Sequence, residues 1–352
     1  MNLWKWNLLC ITGLFLFGMM VAPVFGASHC ECDLNSDGRC DNNDWLLFSQ
    51  QWGRNNCLSA GITCMCDLNS DGRCNMRDWL IFRKNWGRTD CPQRPKAIIA
   101  DHRSTNLSSI PEEWIIRAKT DLHIAYGHTS HGSQLTTGMA GLMSFKGSIY
   151  AYSSGGAGGA LDLRDCPFSG AYDLGNPNRT AWATATRTYL AAHPEVNVII
   201  WSWCGQADTI PENIDLYLSL MSALEADFPN VKFVYMTGHL AGTGLTGNLH
   251  LRNDQIRNYC IANNKILYDF EDIESYDPDG VFYGDKNPTD YCGYDSDNNG
   301  SWDKNWALDW QNSHILNVDW YNCSSAHSQA LNANQKAYAA WWLWARLAGW
   351  GG

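Results

Sequence analysis

The side chains that could carry out covalent chemistry in this sequence lie in one short run, residues 127–133, which reads Gly-His-Thr-Ser-His-Gly-Ser. The run directly follows the apolar segment 122–126, which is predicted to be a buried strand. A serine at a sharp strand-to-helix turn is an exposed nucleophile, and the backbone N–H groups at the start of the helix can stabilise an oxyanion. Ser130 is therefore the candidate nucleophile, and Gly132 is a candidate member of the oxyanion site.

A serine nucleophile needs a base that takes its proton, and histidine most often fills that role. His327 is the candidate base, because it lies just before the predicted C-terminal helix and should reach the same end of the sheet as Ser130. Asp319 or Asp208 is the candidate acid that orients His327, and a dyad without an acid is the alternative. A further alternative is that Ser130 only caps the helix that follows it.

Polar residues also follow the other predicted strands, so that five segments should meet at one edge of the sheet: 127–133, 204–208, 237–239, 271–272 and 323–327. Among these residues, Gln206, His128 and His239 are expected to contact the substrate or the oxyanion. A metal centre is the alternative use of the histidines, although their spacing matches no zinc signature such as His-Glu-x-x-His. Its candidate ligands are His128, His131, His239, His250 and His327.

Calcium binding is the second chemistry that the spacing indicates. Segments 30–57 and 64–91 repeat each other at an offset of 34 residues, and a twelve-residue loop lies near the start of each. Calcium takes six to eight oxygen ligands, which such a loop supplies at alternate positions around a glycine at position 6. The candidate ligands, with the arginines offering backbone carbonyls, are Asp33, Asn35, Asp37, Arg39, Asp41 and Asp44 in the first loop and Asp67, Asn69, Asp71, Arg73, Asn75 and Asp78 in the second.

A possible third calcium loop begins at Asp295. Asp297 and Asn299 occupy its next alternate positions, and a glycine follows at position 6. Its closing position is Trp306, whose side chain offers no oxygen ligand. A plain turn is therefore the alternative.

Each repeat carries its own four cysteines, Cys30, Cys32, Cys40 and Cys57 in the first and Cys64, Cys66, Cys74 and Cys91 in the second. We expect two disulfides inside each repeat, such as Cys30–Cys57 and Cys32–Cys40, with a Cys40–Cys74 bridge as the main alternative. Cys292 and Cys323 could also pair. Cys204 is expected to be half of a disulfide or an apolar filler, because a catalytic thiol is not expected in an oxidising compartment.

The elements that must position these residues form a predicted α/β fold with a mostly parallel sheet in a three-layer sandwich, over residues 97–352. The predicted strands are short and nearly continuously apolar, as strands buried on both faces should be: 97–101, 122–126, 196–203, 231–236 and 265–270. Residues 1–26 have the layout of a secretory signal peptide, residues 30–91 form a small helical module, and residues 92–96 are a linker.

The module at 30–91 resembles the type I dockerin, which is a calcium loop and a helix repeated twice. The two copies match in register, and each loop closes with Asp, at Asp44 and Asp78, as dockerin loops do. The resemblance implies two structural Ca²⁺ ions and a cohesin-like scaffold protein as a possible partner. The cysteines depart from the dockerin pattern, and positions 10 and 11 of the loops, which help to select the partner in dockerins, differ between the copies.

Residues 97–349 resemble the SGNH (GDSL-like) hydrolase superfamily, in the divergent form whose serine lies in a His-His-Ser-x-Gly run. The resemblance implies that Ser130 is the nucleophile and His327 the base. Three features depart from the pattern. The chain has no Gly-Asp-Ser, Gln206 stands where an Asn is usual, and Ser324 stands three residues before the histidine, where the acid is usual.

Composition limits the substrates. The net charge of −11 argues against nucleic acid as a partner, and the 18 tryptophans suit the stacking of sugars. We expect a secreted protein, with no membrane attachment after cleavage of the signal, that acts as a serine esterase on acylated polysaccharide. The alternatives are a non-catalytic glycan-binding protein and a glycoside hydrolase that uses two carboxylates from Asp208, Asp269, Glu271 and Asp272.

Overall fold

The structure is a computed structural model that describes residues 30–35, 37–55, 57, 64–69, 71–91 and 96–352. The predicted signal peptide, residues 1–26, lies outside the described residues, as does most of the predicted linker, residues 92–95. No helix in the described part of the chain is long and apolar enough to cross a membrane.

The larger part of the chain is an α/β fold built on a seven-stranded sheet in which every strand pair is parallel. The strands are β1 (Ile98–Ala100), β2 (His123–Gly127), β3 (Tyr152–Ser153), β4 (Leu161–Asp165), β5 (Val198–Trp201), β6 (Lys232–Met236) and β7 (Ile266–Tyr268). Their order across the sheet is β1-β7-β6-β5-β2-β4-β3. The five strands predicted from the sequence are all present, and β3 and β4 were missed.

Charged side chains explain why β4 was missed. Asp162 is 3 % exposed, and its carboxylate binds the guanidinium of Arg164 at 3.0 Å and the imidazole of His123 at 3.0 Å. A strand with three charged residues in five has no apolar signature in the sequence, although the pairing of Asp162 and Arg164 lets it occupy a position beside β2.

Helices cover both faces of the sheet, which is compatible with a three-layer sandwich. On one face α3 (Glu112–Asp121), α4 (Ser133–Lys146) and α10 (Ala330–Leu347) enclose one apolar core, and on the other α5 (Ala181–Ala192), α6 (Pro211–Asp227) and α7 (Asn248–Ala262) enclose a second. Trp341 and Trp344 of α10 are fully buried, as the near-continuous apolar surface of this helix predicts. Short helices α8 (Phe270–Ile273) and α9 (Trp306–Ser313) and the hairpin of β8 (Gly293–Tyr294) and β9 (Lys304–Asn305) complete this part.

The strand order creates a switch point at β2. From β2 the chain first builds β3 and β4 on one side, and it then crosses to place β5 on the other side of β2. In sheets of this kind ligands bind in the crevice beyond the carboxyl ends of the two strands where the direction of winding reverses. The crevice between the ends of β2 and β5 is therefore where a site is expected, and Ser130 and Cys204 follow those two strands.

The N-terminal module pairs its two repeats symmetrically. The helices α1 (Asn42–Ser49) and α2 (Met76–Phe82) meet through Phe48 and Phe82, whose rings are 4.8 Å apart. Backbone hydrogen bonds run both ways between the repeats, from Gly53 to Cys74 and from Gly87 to Cys40, each at 2.9 Å. Neither repeat therefore forms its core alone.

The disulfides agree only in part with the prediction. Cys32–Cys40 and Cys66–Cys74 close within a repeat as expected, but Cys30–Cys57 is wrong: Cys30 pairs with Cys91, and Cys57 pairs with Cys64. The symmetric docking of the repeats is the physical reason, because it brings the start of the first repeat against the end of the second. The suggested Cys292–Cys323 pair is also wrong, since both thiols are free.

Candidate functional site

Ser130 lies in the turn that joins β2 to α4, at the switch point of the sheet. Gly132 permits this turn, because a Cβ atom there would lie 2.2 Å from the Ser202 hydroxyl oxygen and 2.5 Å from Cβ of His128. The N-cap of α4 is Gly132, and no side chain caps the helix. The alternative in which Ser130 serves as a helix cap is therefore not what the structure contains.

Four side chains form a chain of contacts in the crevice. The Ser130 hydroxyl lies 3.5 Å from the Cys204 sulfur, and this sulfur lies 3.5 Å from Nδ1 of His131. Nε2 of His131 in turn lies 2.9 Å from a carboxylate oxygen of Asp290. The arrangement Cys204–His131–Asp290 is a nucleophile, a base and a carboxylate that orients the base.

Two further imidazoles stack on the His131 ring. The ring of His131 stacks on that of His239 at 3.8 Å and on that of His327 at 4.4 Å. His327 is exposed and has a φ of 59°, in the left-handed region that few non-glycine residues adopt. The structure thus brings His327 to the crevice as predicted, but no hydrogen bond between Ser130 and His327 is formed in the described part of the chain.

Burial lowers the pKa of His131, and the charge of His239 lowers it further, while the hydrogen bond to Asp290 opposes both effects. Because the outcome is a pKa below the ordinary value, the imidazole is neutral at neutral pH and can accept a proton. For Asp290, burial raises the pKa, but the hydrogen bond to His131 and the nearby imidazoles outweigh it and hold the carboxyl below its usual range. The pair is therefore a base with an ionised orienting partner.

A metal centre is the alternative use of this cluster. Ligand atoms of His131, His239 and Asp290 lie within 4.8 Å of one another. However, an imidazole binds a metal in the plane of its ring, and the rings of His131 and His239 are parallel to within 3°. One ion cannot lie in two separate parallel planes, so both rings would have to turn before they could share it.

His128 is held away from a substrate role. Its Nε2 lies 2.5 Å from a carboxylate oxygen of Asp165, and its Nδ1 lies 3.1 Å from the carbonyl oxygen of Thr129. Burial alone would lower the pKa of His128, but the hydrogen bonds to Asp165 and Cys166 and their charges raise it to about 9. His128 is thus a buried cation that joins β2 to the end of β4.

Gln206 also uses both ends of its side chain within the protein. Its carbonyl oxygen accepts a hydrogen bond from the backbone N–H of Cys204 at 3.0 Å, and its amide donates to Asp173 at 3.4 Å. Asp173 accepts a second hydrogen bond from the Thr129 hydroxyl at 2.7 Å. Gln206 therefore fixes the turn that carries Cys204 relative to the turn that carries Ser130.

The two carboxylates considered as partners of His327 lie elsewhere. Asp208 accepts a hydrogen bond from the side chain of Asn248 at 2.6 Å, and Asp319 accepts one from the backbone of Ile315 at 2.8 Å. No hydrogen bond or ion pair links either of them to His327 among the described residues. The carboxylate that does reach the imidazole cluster is Asp290, which the sequence reasoning missed because no strand pattern precedes it.

A buried polar network below the crevice was also missed. The ammonium of Lys336 is completely buried on α10 and binds the carboxylate of Glu274 and the side-chain oxygen of Gln134, each at 2.6 Å. Gln134 donates to the carbonyl oxygen of Ala326 at 2.5 Å, and Glu274 accepts from the backbone N–H of Leu240. The network thus holds the backbone next to both His327 and His239.

Three of the four carboxylates considered for a glycosidase form ion pairs. The guanidinium of Arg257 binds Asp269 at 2.6 Å and Glu271 at 2.7 Å, and the imidazole of His102 binds Asp272 at 2.5 Å. These three carboxylates are thus engaged with cationic partners inside the fold.

An open cleft is lined in part by Asp290. Tyr291 and Trp302 line it and are 56 % and 58 % exposed. Trp302 is fixed in place, because its indole N–H donates to the carbonyl oxygen of Asn287 at 2.9 Å and its ring packs against Gly242. Exposed rings held in this way can stack on apolar faces of sugars.

The first candidate calcium loop is a tight turn closed by hydrogen bonds to Asp33. The carboxylate of Asp33 accepts hydrogen bonds from the backbone N–H groups of Asp37 at 3.0 Å and Gly38 at 3.1 Å. Carboxylate oxygens of Asp33, Asp37 and Asp44 lie within 4.8 Å of one another. Burial raises the pKa of Asp33, and the charges of Asp44 and Asp37 raise it further. Three carboxylates thus converge in this loop.

The same turn recurs in two other places. Asp67 accepts from the backbone of Asp71 and Gly72, at 3.1 and 2.9 Å, in the second loop. Asp295 accepts from the backbone of Asn299 and Gly300, at 3.1 and 2.8 Å, in the third. The closing position of that third loop is Trp306, which is buried in an apolar cluster, whereas Asp occupies the closing position of the other two loops.

No model of a known protein family matches this chain, and no curated protein matches it either.

Proposed function

We propose that this protein is a secreted serine esterase that removes acyl groups from polysaccharide, with its site at the switch point between β2 and β5. What supports the proposal is the position of Ser130, which follows β2, does not cap α4 and has its hydroxyl beside Cys204 and the imidazole cluster.

In the proposed reaction the Ser130 oxygen attacks the carbonyl carbon of the ester while His327 takes its proton. The sugar hydroxyl then leaves with that proton, and water releases the acid in a second step that again uses His327 as base. The hydrogen bond from Ser130 to His327 forms when substrate enters, as is common for catalytic hydrogen bonds that are long without it. The backbone N–H groups of the turn before α4 stabilise the oxyanion, since the Gln206 side chain is engaged with Cys204 and Asp173.

We propose acylated polysaccharide as the substrate because of the cleft that carries Tyr291 and Trp302. These rings flank Asp290 and are more than half exposed, although both are large apolar side chains. A sugar stacked there would lie next to the imidazole cluster, so an acyl group on a neighbouring hydroxyl could reach Ser130.

We further propose that residues 30–91 form a dockerin-like module with two structural Ca²⁺ ions, and that it attaches the esterase to a cohesin-like scaffold. The recurring Asp33 and Asp67 turns and the mutual docking of the repeats support this. The bound ions would neutralise the converging carboxylates and fix the loops. Four disulfides in or between the repeats fit the oxidising compartment of a secreted protein.

The proposal is tested by measuring release of acetate from acetylated xylan, mannan and pectin by the full chain with excess Ca²⁺. Ser130→Ala and His327→Ala should each lower kcat by about 10³-fold or more, because members of a catalytic pair act as a unit. Ser133→Ala is the matched control, since the Ser133 hydroxyl donates to the carbonyl oxygen of Ser130 and stays outside the proposed chemistry. Full activity of Ser130→Ala would refute the mechanism, and binding of these glycans without turnover would favour the binding-protein alternative.

A further inference from the structure

We propose that Cys204 is an activated thiol which exchanges with small disulfides, and that the mixed disulfide so formed closes the esterase site. The thiol chemistry depends only on the contacts of Cys204. The claim that it controls hydrolysis rests on the function proposed above.

The contacts of Cys204 are those of an activated nucleophile. Nδ1 of His131 lies 3.5 Å from the sulfur, and Nε2 of the same ring lies 2.9 Å from Asp290. The carboxylate fixes the tautomer in which Nε2 carries the proton, so Nδ1 is left with a lone pair that faces the thiol. An imidazole placed in this way can take the proton from the thiol as the sulfur attacks, which makes the sulfur a better nucleophile.

The sulfur is also open to a reagent. Cys204 is half-buried, and the next residue, Gly205, is exposed with no other atom within 4 Å of the position that its Cβ would take. The turn that carries the thiol is therefore uncovered at Gly205, where a small disulfide has room to approach.

Other free thiols differ from Cys204 in these respects. Burial raises the pKa of Cys260 well above the ordinary value, that of Cys292 to about 12 and that of Cys323 to about 11, so these three stay protonated at neutral pH. Cys166 is exposed, but its thiol donates to the carbonyl oxygen of His128 at 3.3 Å. Among the described residues, Cys166 is thus the thiol that could compete with Cys204 for a reagent, and the experiment must remove it.

The exchange is balanced without a further reactant. The thiol proton of Cys204 passes to Nδ1 of His131, and the thiolate attacks one sulfur of the incoming disulfide. The bond between the two sulfurs of the reagent breaks, a new bond to Cys204 forms, and the departing thiolate takes the proton from His131. The attached group then lies beside the Ser130 hydroxyl, 3.5 Å from the modified sulfur, where the acyl carbonyl would have to lie.

The test uses the full chain with its structural disulfides intact, in a Cys166→Ser background and with excess Ca²⁺. The probe is 2,2′-dithiodipyridine, whose reaction releases a coloured thione, and peptide mass analysis locates the adduct. We expect thione release to show one fast phase, which is lost in Cys204→Ser. In Asp290→Asn this phase should be about tenfold slower at pH 6, because the variant removes a charge-assisted hydrogen bond to the His131 imidazole. The reference rate is that of the same chain unfolded in urea.

If Cys204 reacts with the probe at the same rate as the chain unfolded in urea, or at an unchanged rate in Asp290→Asn, the proposal that Cys204 is activated is overturned. Oxidised glutathione is then used to form the mixed disulfide, and ester turnover is measured before and after brief treatment with a mild reductant. We expect at least about tenfold loss and full recovery, because the adduct fills the space of the acyl group. Full turnover with the adduct in place would overturn the control of hydrolysis, whereas fast exchange in a protein that hydrolyses no ester would refute only the esterase.

Discussion

The ion pair of His128 and Asp165 makes a prediction about stability as a function of pH. His128 is a protonated imidazole inside the fold, since its pKa is raised from 6.5 to about 9, and His128→Gln removes this charge while it keeps a polar side chain of similar reach. The stabilisation is complete below pH 6.5, where the unfolded chain also binds the proton, and is lost as the pH rises through about 9. The variant should therefore be most destabilised, relative to wild type, at acid to neutral pH.

The size of the effect follows from the shift. A difference between about 9 and 6.5, at 1.36 kcal/mol for each pH unit, corresponds to about 3 kcal/mol of unfolding free energy. The cost of His128→Gln at pH 6 should exceed its cost at pH 10 by about that amount. Because the hydrogen bond and the charge of Asp165 are among the causes of the raised pKa, the same difference should shrink in an Asp165→Asn background, where this partner is missing.

The assay is urea unfolding of the full chain at pH 6, 8 and 10 with excess Ca²⁺, followed by near-ultraviolet circular dichroism. Four proteins are compared: wild type, each single variant and the double variant. A cost of His128→Gln that is the same at pH 6 and pH 10, or one that is larger at pH 10, would show that the imidazole is not a protonated partner of Asp165.

Other predictions concern the supporting network, the cleft and the module. Lys336→Met should destabilise the fold by about 3–5 kcal/mol, because Glu274 is left as an uncompensated buried charge, and adding Glu274→Leu should recover part of that loss in urea unfolding. Trp302→Ala should raise KM for acetylated xylan about tenfold but leave hydrolysis of a small aryl ester unchanged, since only the polymer reaches the cleft, and equal effects on both substrates would count against a sugar subsite. Calorimetric titration of the full chain should give two tight Ca²⁺ sites that disappear in the Asp33→Ala, Asp67→Ala double variant, whereas Asp295→Ala should leave both sites intact.

Much of the fold could be predicted because its strands are buried on both faces and therefore read as apolar runs. The sequence indicated β1, β2, β5, β6 and β7 for this reason, and it missed β4, whose Asp162 and Arg164 satisfy each other. The helix caps were harder to predict from the sequence. Ser109-x-x-Glu112 and Thr209-x-x-Glu212 fit the sequence pattern of a capping box, but α3 and α6 have N-caps at Pro111 and Ile210 with no side-chain hydrogen bond.

The residues of the candidate site likewise divide into those that the sequence could place and those that it could not. Ser130, His239 and His327 could be placed at the crevice because each follows a strand or precedes the last helix, and the ends of parallel strands share one edge. Asp290 could not, because it lies in an irregular segment whose path depends on tertiary contacts. The pairing of Cys30 with Cys91 likewise depends on how two repeats dock, which matching cysteine spacings do not encode.

The central claim is that Ser130 is the nucleophile of an ester hydrolase, and covalent trapping tests it most directly. The full chain is treated with a fluorophosphonate, which phosphonylates activated serines and forms no stable adduct with cysteine, and peptide mass analysis then locates the adduct. The account predicts one adduct on Ser130 that is absent in Ser130→Ala, and formation at least about 10²-fold slower in His327→Ala, because the base no longer takes the proton. A chain that hydrolyses acetylated glycans but carries no adduct on Ser130 would contradict the account.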